Sequence, residues 1–142
     1  MFGEQKVIIT PVEETQSKHI NVVKTLWEQL GAEVRLMTPD EHDNVFAATS
    51  HLPHYLAYSL VDTLSKENNS DSIFDHAAGG FRDFTRIAAS DPTMWHDIAV
   101  TNRDAILEIM DRDSHNLNDL RSAVSNKDSS YLIATFNRAR DI

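Results

Sequence analysis

The side chains able to do chemistry fall in two places: His51 and His54 of "SHLPH", and the run "GGFRDFTRIAASDPTMW" from Gly79 to Trp95. Imidazoles at i and i+3 share one helix face, where they could ligate a metal, move a proton or hydrogen-bond a ligand. A metal needs a third and a fourth ligand. His42 and Asp43 lie upstream, yet no spacing matches a zinc pattern, and there is no cysteine to supply a thiolate. Ser50 is a natural N-cap and Pro53 suits a first helical turn, so these residues predict a helix that begins here. The N–H dipoles of that end would keep both rings neutral, as hydrogen-bonding groups. A satisfied structural role for the pair stands beside this reading.

In the second run, Asp83 and Arg86 sit at i and i+3, the spacing of a helical ion pair. Read plainly, that is a surface pair worth a few tenths of a kcal/mol. Read functionally, Asp83 steadies a guanidinium whose fork is turned onto a carboxylate. Gly79 and Gly80 allow close backbone approach to a helix or a ligand. Ser90, Asp91 and Pro92 predict a helix start, and Trp95 is either a core residue or an interface anchor. A Gly-rich phosphate loop, a nucleophile elbow and paired carboxylates in contrasting settings are all missing from the sequence.

The elements that must position these groups follow from periodicity. "KVIIT" reads as a buried strand, Lys6 to Thr10. A helix follows, with Pro11, Glu13 and Glu14 in its first turn, Ile20, Val23, Leu26, Trp27 and Leu30 on one stripe, and Gly31 at its stop. "AEVRLMT" alternates as a half-buried strand does, so residues 6 to 37 spell a βαβ unit whose sheet needs further strands. Beyond "TPDEHD" only helices are predicted: residues 40 to 66 with a break near Ser50 to Pro53, a polar loop at "KENNSDS", and helices from Ile73 onward. Pro92 to Val124 reads as one helix of about nine turns. Its stripe of Ile98, Ile106, Ile109, Met110, Leu117, Leu120 and Val124 calls for partners along its length, and dimerisation is one supply.

Composition narrows the function class. The chain has 142 residues, 41% hydrophobic and 25% charged, which is one domain's worth of globular sequence. A net charge of −9 argues against a general nucleic-acid or membrane-surface role, although one local arginine can still hold a small anion. No apolar run approaches the roughly 20 residues that span a bilayer, and no secretory leader is visible. With no cysteine, a cytoplasmic protein is expected.

Taken together, "SHLPH" and "GGFRDFTRIAASDPTMW" closely resemble the C-terminal part of prephenate dehydrogenases, including the arogenate and cyclohexadienyl variants. "VIITP" and "LWEQLGAEVRLMTPDEHD" resemble the end of the nucleotide-binding domain of the same family. The resemblance implies a mainly α chain: residues 1–38 a βαβ remnant of a Rossmann-type domain, residues 39–142 an all-helical dimerisation and substrate-binding domain. It implies oxidation of prephenate or arogenate with loss of carbon dioxide and hydride transfer to NAD or NADP. His54 and Arg86 would face the substrate, Arg86 on a carboxylate oriented by Asp83, with His51 nearer to a structural member. Trp95 and Gly79 would lie at the dimer contact and reach the partner's site. The family's Gly-x-Gly fingerprint and the histidine that polarises the reacting hydroxyl have no counterpart here. The resemblance therefore implies a C-terminal piece that is inactive alone and binds no dinucleotide. A regulatory or structural helical dimer module that binds an aromatic amino acid such as tyrosine is the alternative.

Overall fold

A computed structural model describes residues 5–142. Its contacts divide the chain into two compact units, Met1–Ser90 and Asp91–Ile142.

The first unit opens with the expected βαβ motif: β1 (Lys6–Ile9), α1 (Ser17–Gln29) and β2 (Glu33–Leu36). The strands are parallel, with Val7 opposite Val34 and Ile9 opposite Leu36. β1 is not the buried strand expected from its β-branched run. Its residues are half-buried or exposed, because a sheet of two strands covers so little of either face. α1 begins later than the Pro11 start expected. The Val12 N–H donates to the Thr15 hydroxyl (3.1 Å) and the Thr15 N–H returns to the Val12 carbonyl (2.9 Å), closing a turn that keeps Pro11, Glu13 and Glu14 out of the helix. Gly31, at φ 90°, ends α1 as glycine's freedom at positive φ allows.

α2 (Pro39–Phe46) starts at Thr38, whose hydroxyl accepts from the Glu41 N–H at 3.1 Å. The helix start expected at Ser50 does not exist. α2 instead runs through a π turn (Ala47–His51) into α3 (Leu52–Ser65), so "SHLPH" lies inside one continuous helical rod. A proline ring inside an α-helix clashes with the carbonyl four residues back, here that of Thr49, and the wider turn supplies the room. α4 (Ser70–Asp75) and α5 (Gly79–Ala88) follow. They are joined in part by the tilted rings of Phe74 and Phe81, 5.8 Å apart. α5 packs along α3, and the Tyr58 hydroxyl donates to the Ser90 carbonyl at 2.7 Å, fastening α3 to the segment that leaves α5.

In the second unit, Asp91 caps α6 (Pro92–Thr101) by accepting from the Thr93 N–H at 2.8 Å, as the Ser-Asp-Pro run predicts. The long helix expected from Pro92 to Val124 is two. Asn102, at φ −106° and ψ 34°, ends α6 and starts α7 (Arg103–Asn126). Asparagine competes with the helix for its own backbone, and no glycine or proline marks the break. α7 ends on Lys127 in the left-handed conformation (φ 54°), and α8 (Ser129–Arg140) returns along it, capped by Asp128.

The interior is thin. Among the described residues the buried set is Ala32, Ala47, Ala57 and Ala123, with only Trp95 and Ile106 as large members. Small side chains let helices approach, but they leave many larger apolar groups on the outside.

Candidate functional site

The π turn and α3 carry His51 and His54; α5 carries Gly79, Asp83 and Arg86. Because α3 and α5 pack together, five of the six residues singled out in the sequence come onto two adjoining helices of one unit. Trp95 belongs to the other unit, on α6, where it is 6% exposed and so is a buried residue of the chain itself.

The His54 ring bonds through Nδ1 to the Ser50 carbonyl at 2.8 Å. A carbonyl only accepts, so Nδ1 carries the hydrogen, and in the neutral ring Nε2 is the acceptor nitrogen. The helix-end dipole argument for neutrality fails here, since no helix begins at Ser50. What biases His51 is burial first, which pushes its imidazole below its ordinary value of 6.5. The charge of His42 acts the same way, Asp43 opposes it, and His54 adds a further lowering. Neutrality of His51 is thus favoured by desolvation and by neighbouring imidazoles.

His42 and Asp43 therefore belong to the same polar group as His51, although their spacing fits no metal pattern. The His42 Nδ1 lies 3.0 Å from the Asp43 carboxylate, and the His42 ring stacks at 4.5 Å on Phe46. The only sequence signal was the His-Asp pair itself in "DEHD", nine residues from His51 across a helix whose π turn periodicity does not show. Among the described residues no group of three or more His, Cys, Asp and Glu side chains is placed to hold a metal.

Arg86 and Asp83 form the expected i, i+3 pair at 3.7 Å, and each side chain is 73% exposed. Exposure at that level makes the pair weak as a source of stability. It also leaves the guanidinium on a solvent-facing surface. Gly79 and Gly80 open α5, and a β-carbon built on either would meet nothing within 4 Å. Among the described residues, the close approach that two glycines suggest is not made.

The loop after β1 does not suit a dinucleotide's pyrophosphate. The β1–α1 connection runs Thr-Pro-Val-Glu-Glu-Thr-Gln, without glycine and with two carboxylates where a pyrophosphate would want bare N–H groups. No described helix is long and apolar enough to cross a membrane.

Residues 38–138 match the family described as "Prephenate dehydrogenase, dimerization domain". The cyclohexadienyl dehydrogenase of Zymomonas mobilis is 37% identical over 99% of this chain, which covers 48% of that protein. The prephenate dehydrogenase of Bacillus subtilis is 38% identical over 99% of this chain, covering 38% of that protein. The chain thus spans less than half the length of these curated relatives. Among solved structures, prephenate dehydrogenase from A. aeolicus in complex with hydroxyphenyl propionate and NAD+ superposes with a TM-score of 0.87. There the identity is 38%, over 95% of this chain and 48% of that one. With a domain match over most of its length and relatives this similar from end to end, the chain belongs to the prephenate dehydrogenase family.

Proposed function

We propose that this chain supplies the dimer contact and one wall of the substrate cleft in a cytoplasmic dehydrogenase that oxidises prephenate or arogenate. The complete enzyme would do so with loss of carbon dioxide and with NAD or NADP as the hydride acceptor, bound outside these residues. The observation that carries the reading is the packing of α3 on α5. It brings the helix of His54 and the helix of Arg86 side by side in a chain of this family.

On this reading Arg86 forks onto a substrate carboxylate and Asp83 steadies the guanidinium, which suits their surface pairing at 3.7 Å. His54 hydrogen-bonds the ligand, while His51, half-buried and biased toward neutrality, supports the wall behind it. Gly79 and Trp95 act at the contact between protomers. The same grip suits the carboxylate of tyrosine as a regulatory ligand, and calorimetry of this chain with tyrosine checks that point. The division expected from the resemblance, 1–38 as the end of the nucleotide-binding domain and 39–142 as the helical domain, is part of the proposal.

The test is Arg86→Ala in the complete dehydrogenase. Losing one member of a charge pair with a bound anion costs about 2 kcal/mol or more, so KM should rise about 30-fold or more. An unchanged KM for both prephenate and arogenate removes Arg86 from the cleft.

A further inference from the structure

Apolar helix faces laid together can slide, since burial has no direction, whereas a hydrogen bond fixes one atom against another. Ala57 of α3 is fully buried, and α5 keeps Phe81, Thr85 and Ala88 half-buried along one face. Small side chains at such a contact allow close approach but interlock little. The Tyr58 hydroxyl supplies the directed bond. It donates to the Ser90 carbonyl at 2.7 Å and joins positions 32 apart, whereas the Thr63 hydroxyl on the same helix reaches only the turn before it. Ser90 is itself held: its N–H and its hydroxyl both donate to the Ile87 carbonyl, closing an α5 end that has neither glycine nor a left-handed residue. Arg86 lies four residues before Ser90. The Asp83 carboxylate steadies its guanidinium but moves with the same helix, so it cannot fix α5 on α3.

We propose that Tyr58 is a positioning residue for substrate binding: its hydroxyl, anchored on Ser90, sets where the last turn of α5 lies on α3, and so where Arg86 meets a substrate carboxylate. The proposal deepens the cleft reading above and rests on it for the role of Arg86.

Tyr58→Phe deletes the hydroxyl and keeps the ring. In the complete dehydrogenase it should raise KM about fivefold, the scale of one neutral hydrogen bond, with kcat nearly unchanged. On an Arg86→Ala background it should raise KM no further, as expected of two residues that act through one contact. A background that only destabilises gives the contrast. Asp128→Ala removes the cap of α8, in the other unit, and there Tyr58→Phe should keep its full effect. A hydroxyl that served stability alone would lower the urea midpoint and leave KM, and its coupling to Arg86, untouched.

Hydrogen exchange of this chain gives a readout apart from turnover. The Ala89 and Ser90 amides, which close the end of α5, should exchange faster in Tyr58→Phe, and those of α7 should not. Unchanged exchange beside a raised KM would overturn the proposal, because the end of α5 would not have moved. A fall in kcat with KM unmoved would overturn it as well, by placing the hydroxyl at the chemical step. If Tyr58→Phe raises KM equally with and without Arg86, or leaves KM alone while Arg86→Ala raises it, the positioning role fails and the cleft reading survives. If Arg86→Ala itself leaves KM unmoved, the cleft reading falls and takes the proposal with it.

Discussion

At the residue scale, the polar group around the π turn shows how far residue type alone carries. The i, i+3 spacing of His51 and His54 is legible in the sequence, but the helix-end dipole expected there is not what biases His51. A helix end would bias both rings through its dipole, whereas the structure lowers the His51 value mainly by burial, with His42 next. The sign of the stability effect follows. A histidine whose folded value lies below its unfolded 6.5 binds fewer protons when folded. It contributes stability above that pH and loses it as pH falls through the folded value. Urea midpoints of the native chain and of His51→Asn, taken from pH 8 down to pH 5, check this. The native chain should lose more stability than the variant as the pH drops below 6.5. Parallel curves would mean that the His51 ring is as well solvated folded as unfolded.

At the scale of elements, the capping residues were readable and the interruptions were not. Asp91 with Pro92 starts α6, and Gly31 stops α1, because these residues act through bonds and dihedrals of their own. The join at Asn102 and the π turn before Pro53 depend instead on how a rod must bend or widen to pack, which periodicity does not encode. Two substitutions test the packing. Lys127 holds φ 54° at the end of α7, a conformation that costs any residue with a β-carbon. Lys127→Gly should therefore raise stability by about 0.5–1 kcal/mol, after the entropy of glycine is set against the relieved strain. A thermal midpoint that falls instead would place the loss of side-chain contacts above the strain. Ala57 is fully buried on α3. Ala57→Leu should cost about 1–3 kcal/mol by overpacking, read as a lower denaturant midpoint with an unchanged slope.

At the scale of the whole molecule, the outside is more apolar than a self-sufficient chain needs. In the second unit Leu117, Val124 and Ile133 are each 60% exposed and Phe136 is 57% exposed, along the paired helices α7 and α8. Stable interfaces bury on the order of 1,000 Å² or more with an apolar centre, and these side chains suit one. In a family whose matching domain is described as a dimerization domain, a second copy is the expected cover. Light scattering should find a dimer, with Leu117→Glu and Phe136→Glu each shifting it toward monomer. Val22→Glu serves as the control: Val22 is 67% exposed on α1, outside the predicted contact, and the mass should not change. Dissociation by Val22→Glu alone would move the interface to the βαβ unit.

The parallel βαβ start and the helical remainder could be read from the chain, as could the residue types and spacing that make His51, His54, Asp83 and Arg86 candidates. Each is written in local terms: apolar period, caps, and the types and spacing of a few polar side chains. What needed three dimensions was whatever depends on distant neighbours. That α5 lies on α3, bringing Arg86's helix to His54's, comes from tertiary packing, as does the enrolment of His42 with His51. The tautomer of His54 rests on its bond to the Ser50 carbonyl, and which apolar side chains are covered, Trp95 and Ile106 but not Leu117 or Val124, depends on where helices meet. Local preferences are encoded residue by residue, but desolvation and contact are properties of the assembled chain.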